Sequence, residues 1–123
     1  MADPRRVHRK VFEFAMGLPG AYEDHPWEET VVKVSKKVFV FLGNEDSPFW
    51  PGMTVKLLDS LDQGLAIPGA EPSGYGLGKS GWVNIPFRTK LPPVGVLTDL
   101  VEESYRLVAP RAMVAELDGR DGG

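Results

Sequence analysis

The sequence predicts an α+β fold, an antiparallel sheet with its helices packed on one face, and three observations carry that expectation. Apolar residues recur with helical period near both ends of the chain and with period two in the middle. The strand-like runs follow one another at hairpin spacing instead of alternating with helices, so no βαβ rhythm calls for a parallel sheet. A length of 123 residues, 42% hydrophobic and 25% charged, suits one globular core and not two. The expected unit is a single domain over residues 1–117. Asp118-Gly119-Arg120-Asp121-Gly122-Gly123 reads as a loose tail 118–123.

Each element has its own justification. Asp3 followed by Pro4 is an N-cap with proline in the first turn, and Val7, Val11, Phe14, Ala15 and Leu18 then recur at three- and four-residue spacing, giving a helix from Pro4 to Met16. Gly17, Pro19 and Gly20 end it, and residues 21–29 form an acidic, proline-containing connector. Thr30 to Val34 and Lys37 to Leu42 are β-branched and aromatic runs separated only by Ser35 and Lys36, which is hairpin spacing without the usual glycine or asparagine. Residues 43–52 are a loop. Met53 to Leu57 is a third strand, and Asp59 can cap a short helix to Ile67 that Gly64 weakens. A glycine-rich loop leads to a fourth strand, Trp82 to Phe87. After Pro92 and Pro93, the positions Val94, Leu97, Leu100, Val101, Ser104, Tyr105 and Val108 mark a long amphipathic helix that Pro110 interrupts.

Composition excludes several classes of function. Fourteen basic against seventeen acidic residues give a net charge of −3, too acidic for a protein that coats polyanions by bulk charge. The absence of cysteine removes disulfides, thiol nucleophiles and thiolate metal sites. No run approaches a membrane span, and the arginines and lysine at positions 5, 6, 9 and 10 are not followed by the apolar core of a signal peptide, so a cytoplasmic protein without membrane contact is expected. Gly76-Leu77-Gly78-Lys79-Ser80-Gly81 matches a dinucleotide fingerprint and nearly spells a P-loop, but both need a following helix to aim its N-terminus at phosphate. Here a strand follows. His8 and His25 lie on different elements with no serine elbow beside them, so no catalytic residue is assigned. Glu23, Asp24, His25, Glu28 and Glu29 fit no metal-loop spacing and read as a solvated acidic turn, leaving metal and cofactor sites at none.

Strand alternation is more informative. Val83, Ile85 and Phe87 facing the helices put Trp82 and Asn84 on the other side of the sheet. In the same way Val55 and Leu57 inward leave Lys56 outward, and Val32 and Val34 inward leave Lys33 outward. With Lys79 in the adjoining loop, the helix-free face carries Lys33, Lys56, Lys79, Trp82 and Asn84. Cations beside an aromatic are the composition that contacts phosphate and stacks on bases.

Six short motifs resemble, in order and spacing, the MmcQ/YjbR family: Leu18-Pro19-Gly20-Ala21, Glu23-Asp24-His25-Pro26-Trp27, Lys37-Val38-Phe39, Val55-Lys56-Leu57, Leu77 to Val83, and Glu102 to Val108. The likeness covers Val7 to Val108. It implies a CyaY-like fold with protruding hairpins, described as a double wing, and a DNA-binding role. Matched position by position, Lys56, Lys79, Trp82 and the pair Ser104-Tyr105 are all present. The first hairpin departs from the family, carrying Ser35-Lys36 where glycines are usual, and Phe49-Trp50-Pro51 elaborates the loop after it.

The expectation is therefore a non-enzymatic protein that contacts DNA or another nucleic acid weakly through the open sheet face and wings. Lys33, Lys56 and Lys79 would meet phosphate, Trp82 would stack and Asn84 lies between them. The alternative is a protein-interaction module. It is suggested by Phe39 and Phe41 alternating with Val38, Val40 and Leu42, so that both faces of that strand are apolar, and by Phe49 and Trp50, which read as exposed.

Overall fold

A computed structural model describes residues 3–48, 50–74 and 76–122. The elements are α1 (Pro4–Met16), β1 (Tyr22–Asp24), β2 (Thr30–Val34), β3 (Lys37–Gly43), β4 (Gly52–Lys56), α2 (Leu61–Leu65), β5 (Glu71–Pro72), β6 (Trp82–Pro86), α3 (Val94–Val108) and α4 (Arg111–Gly122). Short 3₁₀ turns occupy Pro26–Glu28 and Leu77–Ser80. The six strands pair antiparallel throughout in the order β1-β2-β3-β4-β6-β5.

The expected α+β architecture is present. Asp3 caps α1 by accepting from the Arg5 N–H at 3.0 Å, and Val7, Val11 and Ala15 are the buried stripe of that helix. They meet Leu97, Leu100, Val101 and Tyr105 of α3 and the inward strand residues Val32, Val34, Val40, Val55, Val83 and Ile85 in one core. Burying side chains of this size contributes about 1.5–3 kcal/mol each before entropy is counted.

Four elements differ from expectation, the first being β5, which forms in the loop before β6 by pairing with that strand. β1 forms inside the acidic connector, where Tyr22, Glu23 and Asp24 offer no apolar alternation and become a strand only by pairing with β2. The short helix is Leu61–Leu65, with Ser60 at its N-cap in place of Asp59. Residues 118–122, read as a loose tail, continue α4. Tertiary contacts hold that helix: Leu117 is buried, Arg106 Nη1 pairs with Asp118 at 2.9 Å, and Arg120 Nη1 donates to the Gly17 carbonyl at 2.7 Å, satisfying the C-terminal end of α1. Among the described residues no helix is long and apolar enough to cross a membrane.

β3 carries two register shifts against β2. Val32 pairs with Val40 and Lys33 with Val38, skipping Phe39; Thr30 pairs with Gly43 and Val31 with Phe41, skipping Leu42. A bulged strand changes the phase of its side chains. Phe39 and Val40 consequently both enter the core, Phe39 meeting the Tyr105 ring edge-on at 5.2 Å, while Val38 and Phe41 lie on the open face opposite Lys33 and Val31. The strand is apolar on both faces, as its sequence suggested, but the bulges change which residues lie on each. The β2–β3 turn is two residues long as expected, with Ser35 and Lys36 both in the left-handed region at φ 49° and 69°, a conformation that costs roughly 1–2 kcal/mol per non-glycine residue.

Candidate nucleic-acid interface

In an antiparallel ladder, residues directly opposite one another share a face. The open face therefore carries one row through Asp24, Val31, Phe41, Thr54, Asn84 and Glu71, and beyond it Tyr22, Lys33 and Val38 on one side of the β3–β4 seam and Lys56 and Trp82 on the other. Both of these groups lie at the end of the sheet where β2 and β4 finish and β3 and β6 begin. That end also holds the β2–β3 turn and the loop before β6, and so Lys36, Lys37 and Lys79, all exposed. Five lysines converge on one end of the sheet although the chain as a whole is acidic.

The five are not equivalent. Lys33 Nζ pairs with Asp24 Oδ2 at 2.7 Å, and that hydrogen bond holds the Asp24 carboxyl below its usual range and the Lys33 ammonium above its own. A phosphate contact at Lys33 would have to displace Asp24. Lys36, Lys37, Lys56 and Lys79 make no ion pair among the described residues.

Trp82 lies on the open face as alternation requires, directly opposite Lys56. It is half-buried, because the Phe41 ring meets it edge-on at 5.4 Å. Asn84 accepts from the Thr54 hydroxyl at 2.7 Å, which fixes the amide and leaves its N–H groups for other acceptors. Phe41, whose ring meets Trp82, lines a cavity of about 340 Å³ on the open face with Thr54, Asn84, Leu77, Pro48 and Glu29, and burial raises the Glu29 carboxyl above its usual range. A flat aromatic, oriented amide donors and a rim of lysines can together take up an extended, unpaired polyanion.

The glycine-rich segment serves this site structurally. Gly81 sits at φ 93°, and a Cβ there would meet the Leu57 carbonyl oxygen at 2.3 Å; the Leu57 N–H donates back to the Gly81 carbonyl at 2.9 Å. The glycine lets the Lys79 loop close against the end of β4 and enter β6 in register.

Ser104 and Tyr105 are carried by α3 into the core and not to a surface. The Ser104 hydroxyl accepts from the Lys56 N–H at 2.9 Å and donates to the Phe39 carbonyl. Tyr105 donates to the Pro19 carbonyl at 2.6 Å, and burial raises its phenol above the usual range.

The aromatics that suggested a protein partner are differently placed. Trp50 is half-buried, its ring 4.4 Å from His8, and its indole nitrogen is buried with no hydrogen-bond partner among the described residues. Phe49 lies outside the described residues. Among the described residues Tyr22 and Trp27 are exposed aromatics, and Trp27 is by far the more open, 94% accessible and held at φ 51° in the turn between β1 and β2. A tryptophan after proline within a run of carboxylates, with no apolar neighbour to pack on, is the signal that could have marked it. In the acidic turn His25 Nε2 pairs with Glu23 at 2.7 Å, and no group of three potential metal ligands converges among the described residues.

Fold and site together define a small α+β protein with one uncovered sheet face that is cationic at one end. The YjbR family model matches residues 16–107, and the chain belongs to that family. No curated protein matches the sequence.

Proposed function

We propose that this YjbR-family protein is a non-catalytic nucleic-acid-binding protein that holds backbone phosphates weakly at the lysine end of its open sheet face. The observation that carries the reading is the strand register, which sets Lys56 opposite Trp82 on the open face and puts the Lys36 turn and the Lys79 loop at the same end of the sheet, whereas Lys37 shares the covered face of Val34. Contacts to phosphate carry no sequence information, so binding is expected to be nonspecific and no tighter than about a micromolar. Trp82 and the Asn84 amide beside it favour unpaired bases over duplex, because a stacked base must first be free.

A fluorescence anisotropy titration against random single strand and random duplex tests this. Three neutralised phosphates give a logarithmic salt slope of about −2.1 on single strand and about −2.7 on duplex, so affinity falls roughly 20-fold and 40-fold between 50 and 200 mM salt. No binding at 50 mM salt with protein in the tens of micromolar removes the proposal.

A further inference from the structure

The turn between β1 and β2 presents a second surface with the opposite character. It stands at the end of the sheet away from the lysines, where β1 finishes and β2 begins. Trp27 is 94% accessible, whereas every other tryptophan in the chain is at least half-buried. Its backbone is left-handed at φ 51°, as is that of Glu28 at φ 66°, and the turn is closed by the Glu29 N–H donating to the Pro26 carbonyl at 3.0 Å. A large indole projected by a backbone that L-residues avoid, and almost wholly uncovered by its own fold, is not explained by stability.

The carboxylates beside it decide what it can meet. Glu23 is engaged by His25 and Asp24 by Lys33, while Glu28 and Glu29 make no ion pair among the described residues. Glu29 lines the open-face cavity, so the charges presented beside the indole are those of Glu28 and the engaged Glu23 and Asp24; they repel phosphate, and the nucleic acid proposed for the opposite end is a poor occupant here. They suit a cationic one. An indole face next to an unpaired carboxylate is the arrangement that accepts an arginine or lysine by cation–π contact and charge pairing together.

We infer that the Trp27 turn is a docking knob for a basic protein segment, with a partner arginine or lysine laid over the indole and its charge met by Glu28. The surface is independent of the nucleic-acid reading and survives its failure.

The test is selection of a random twelve-residue peptide library on the full chain, followed by titration of the selected synthetic peptides. The recovered peptides are expected to carry two or more arginines or lysines. Trp27→Ala should weaken them about tenfold and Glu28→Lys should weaken them as well, while Trp27→Phe stays within about threefold and Trp82→Ala within twofold. Thermal melts of the two Trp27 variants should match the parent, because the side chain is almost wholly uncovered. Acidic or uncharged selected peptides, affinities indifferent to Trp27, or recovery of no peptide would each overturn the inference. So would sedimentation showing that Trp27 mediates self-association, which would make a second copy of the chain the occupant.

Discussion

The Ser104 hydroxyl on α3 donates to the Phe39 carbonyl of β3 at 2.5 Å, at the residue that β3 skips in its pairing with β2. The same oxygen accepts from the Lys56 N–H of β4. The β3–β4 ladder pairs Val40 with Val55 and Phe41 with Thr54; one residue further along, a helix side chain joins the two strands. The second shift on β3 is served in the same way, His8 Nε2 of α1 donating to the Leu42 carbonyl at 2.9 Å. Backbone groups that the bulges remove from the ladder are thus satisfied by the helices that cover the sheet.

Ser104→Ala removes both bonds and leaves two buried backbone groups unpaired, at about 1–3 kcal/mol each. The expected loss is about 2–4 kcal/mol in urea denaturation, with Ser104→Thr less damaging than alanine only where the added methyl fits. A loss under about 1 kcal/mol would mean that water replaces the hydroxyl.

Trp82 separates stability from binding. Its half-buried ring rests on Phe41, so Trp82→Ala is expected to cost about 1–2 kcal/mol, below the roughly 3–5 kcal/mol of emptying a core aromatic site. Single-strand affinity should weaken by about 1–3 kcal/mol if the indole stacks on a base. Unchanged affinity in a folded variant would leave the lysines as the whole of the site.

The Asp24–Lys33 pair makes a prediction of opposite sign for its two members. Because Lys33 is already engaged, Lys33→Ala should change the salt slope by much less than the nearly one unit expected for Lys56→Ala or Lys79→Ala. Asp24→Asn releases Lys33 and should tighten binding and steepen the slope. Equal effects of Lys33→Ala and Lys56→Ala would show that phosphate displaces Asp24 without difficulty.

His8 makes stability depend on pH. Burial lowers its imidazole below the usual value, and the bond to the Leu42 carbonyl, which favours the charged form, offsets this only in part. The unfolded chain, titrating near 6.5, then binds a proton that the folded protein resists. Stability from this group is complete above about pH 6.5 and is lost as pH falls through the folded value. The melting temperature of the parent should decline more steeply from pH 7 to 5 than that of His8→Gln, whose amide can still donate to Leu42. Parallel declines would assign the acid sensitivity elsewhere.

What the sequence determined by itself was the set of elements whose own residues enforce them: α1 through its cap and apolar stripe, β4 and β6 through alternation, α3 through its periodicity, and with these the open face of Lys56, Trp82 and Asn84. Side-chain period is local, and a buried face reads directly as a pattern. The tertiary structure decided the rest. β1 exists because β2 offers it an edge, and α4 because Arg106 and the end of α1 hold it. The bulges sent Phe39 inward, the fold tied Lys33 to Asp24, and antiparallel pairing put the Lys36 turn at the same end of the sheet as Lys56 and Lys79. Each depends on which distant backbone groups and charges become neighbours, and spacing along the chain carries no record of that.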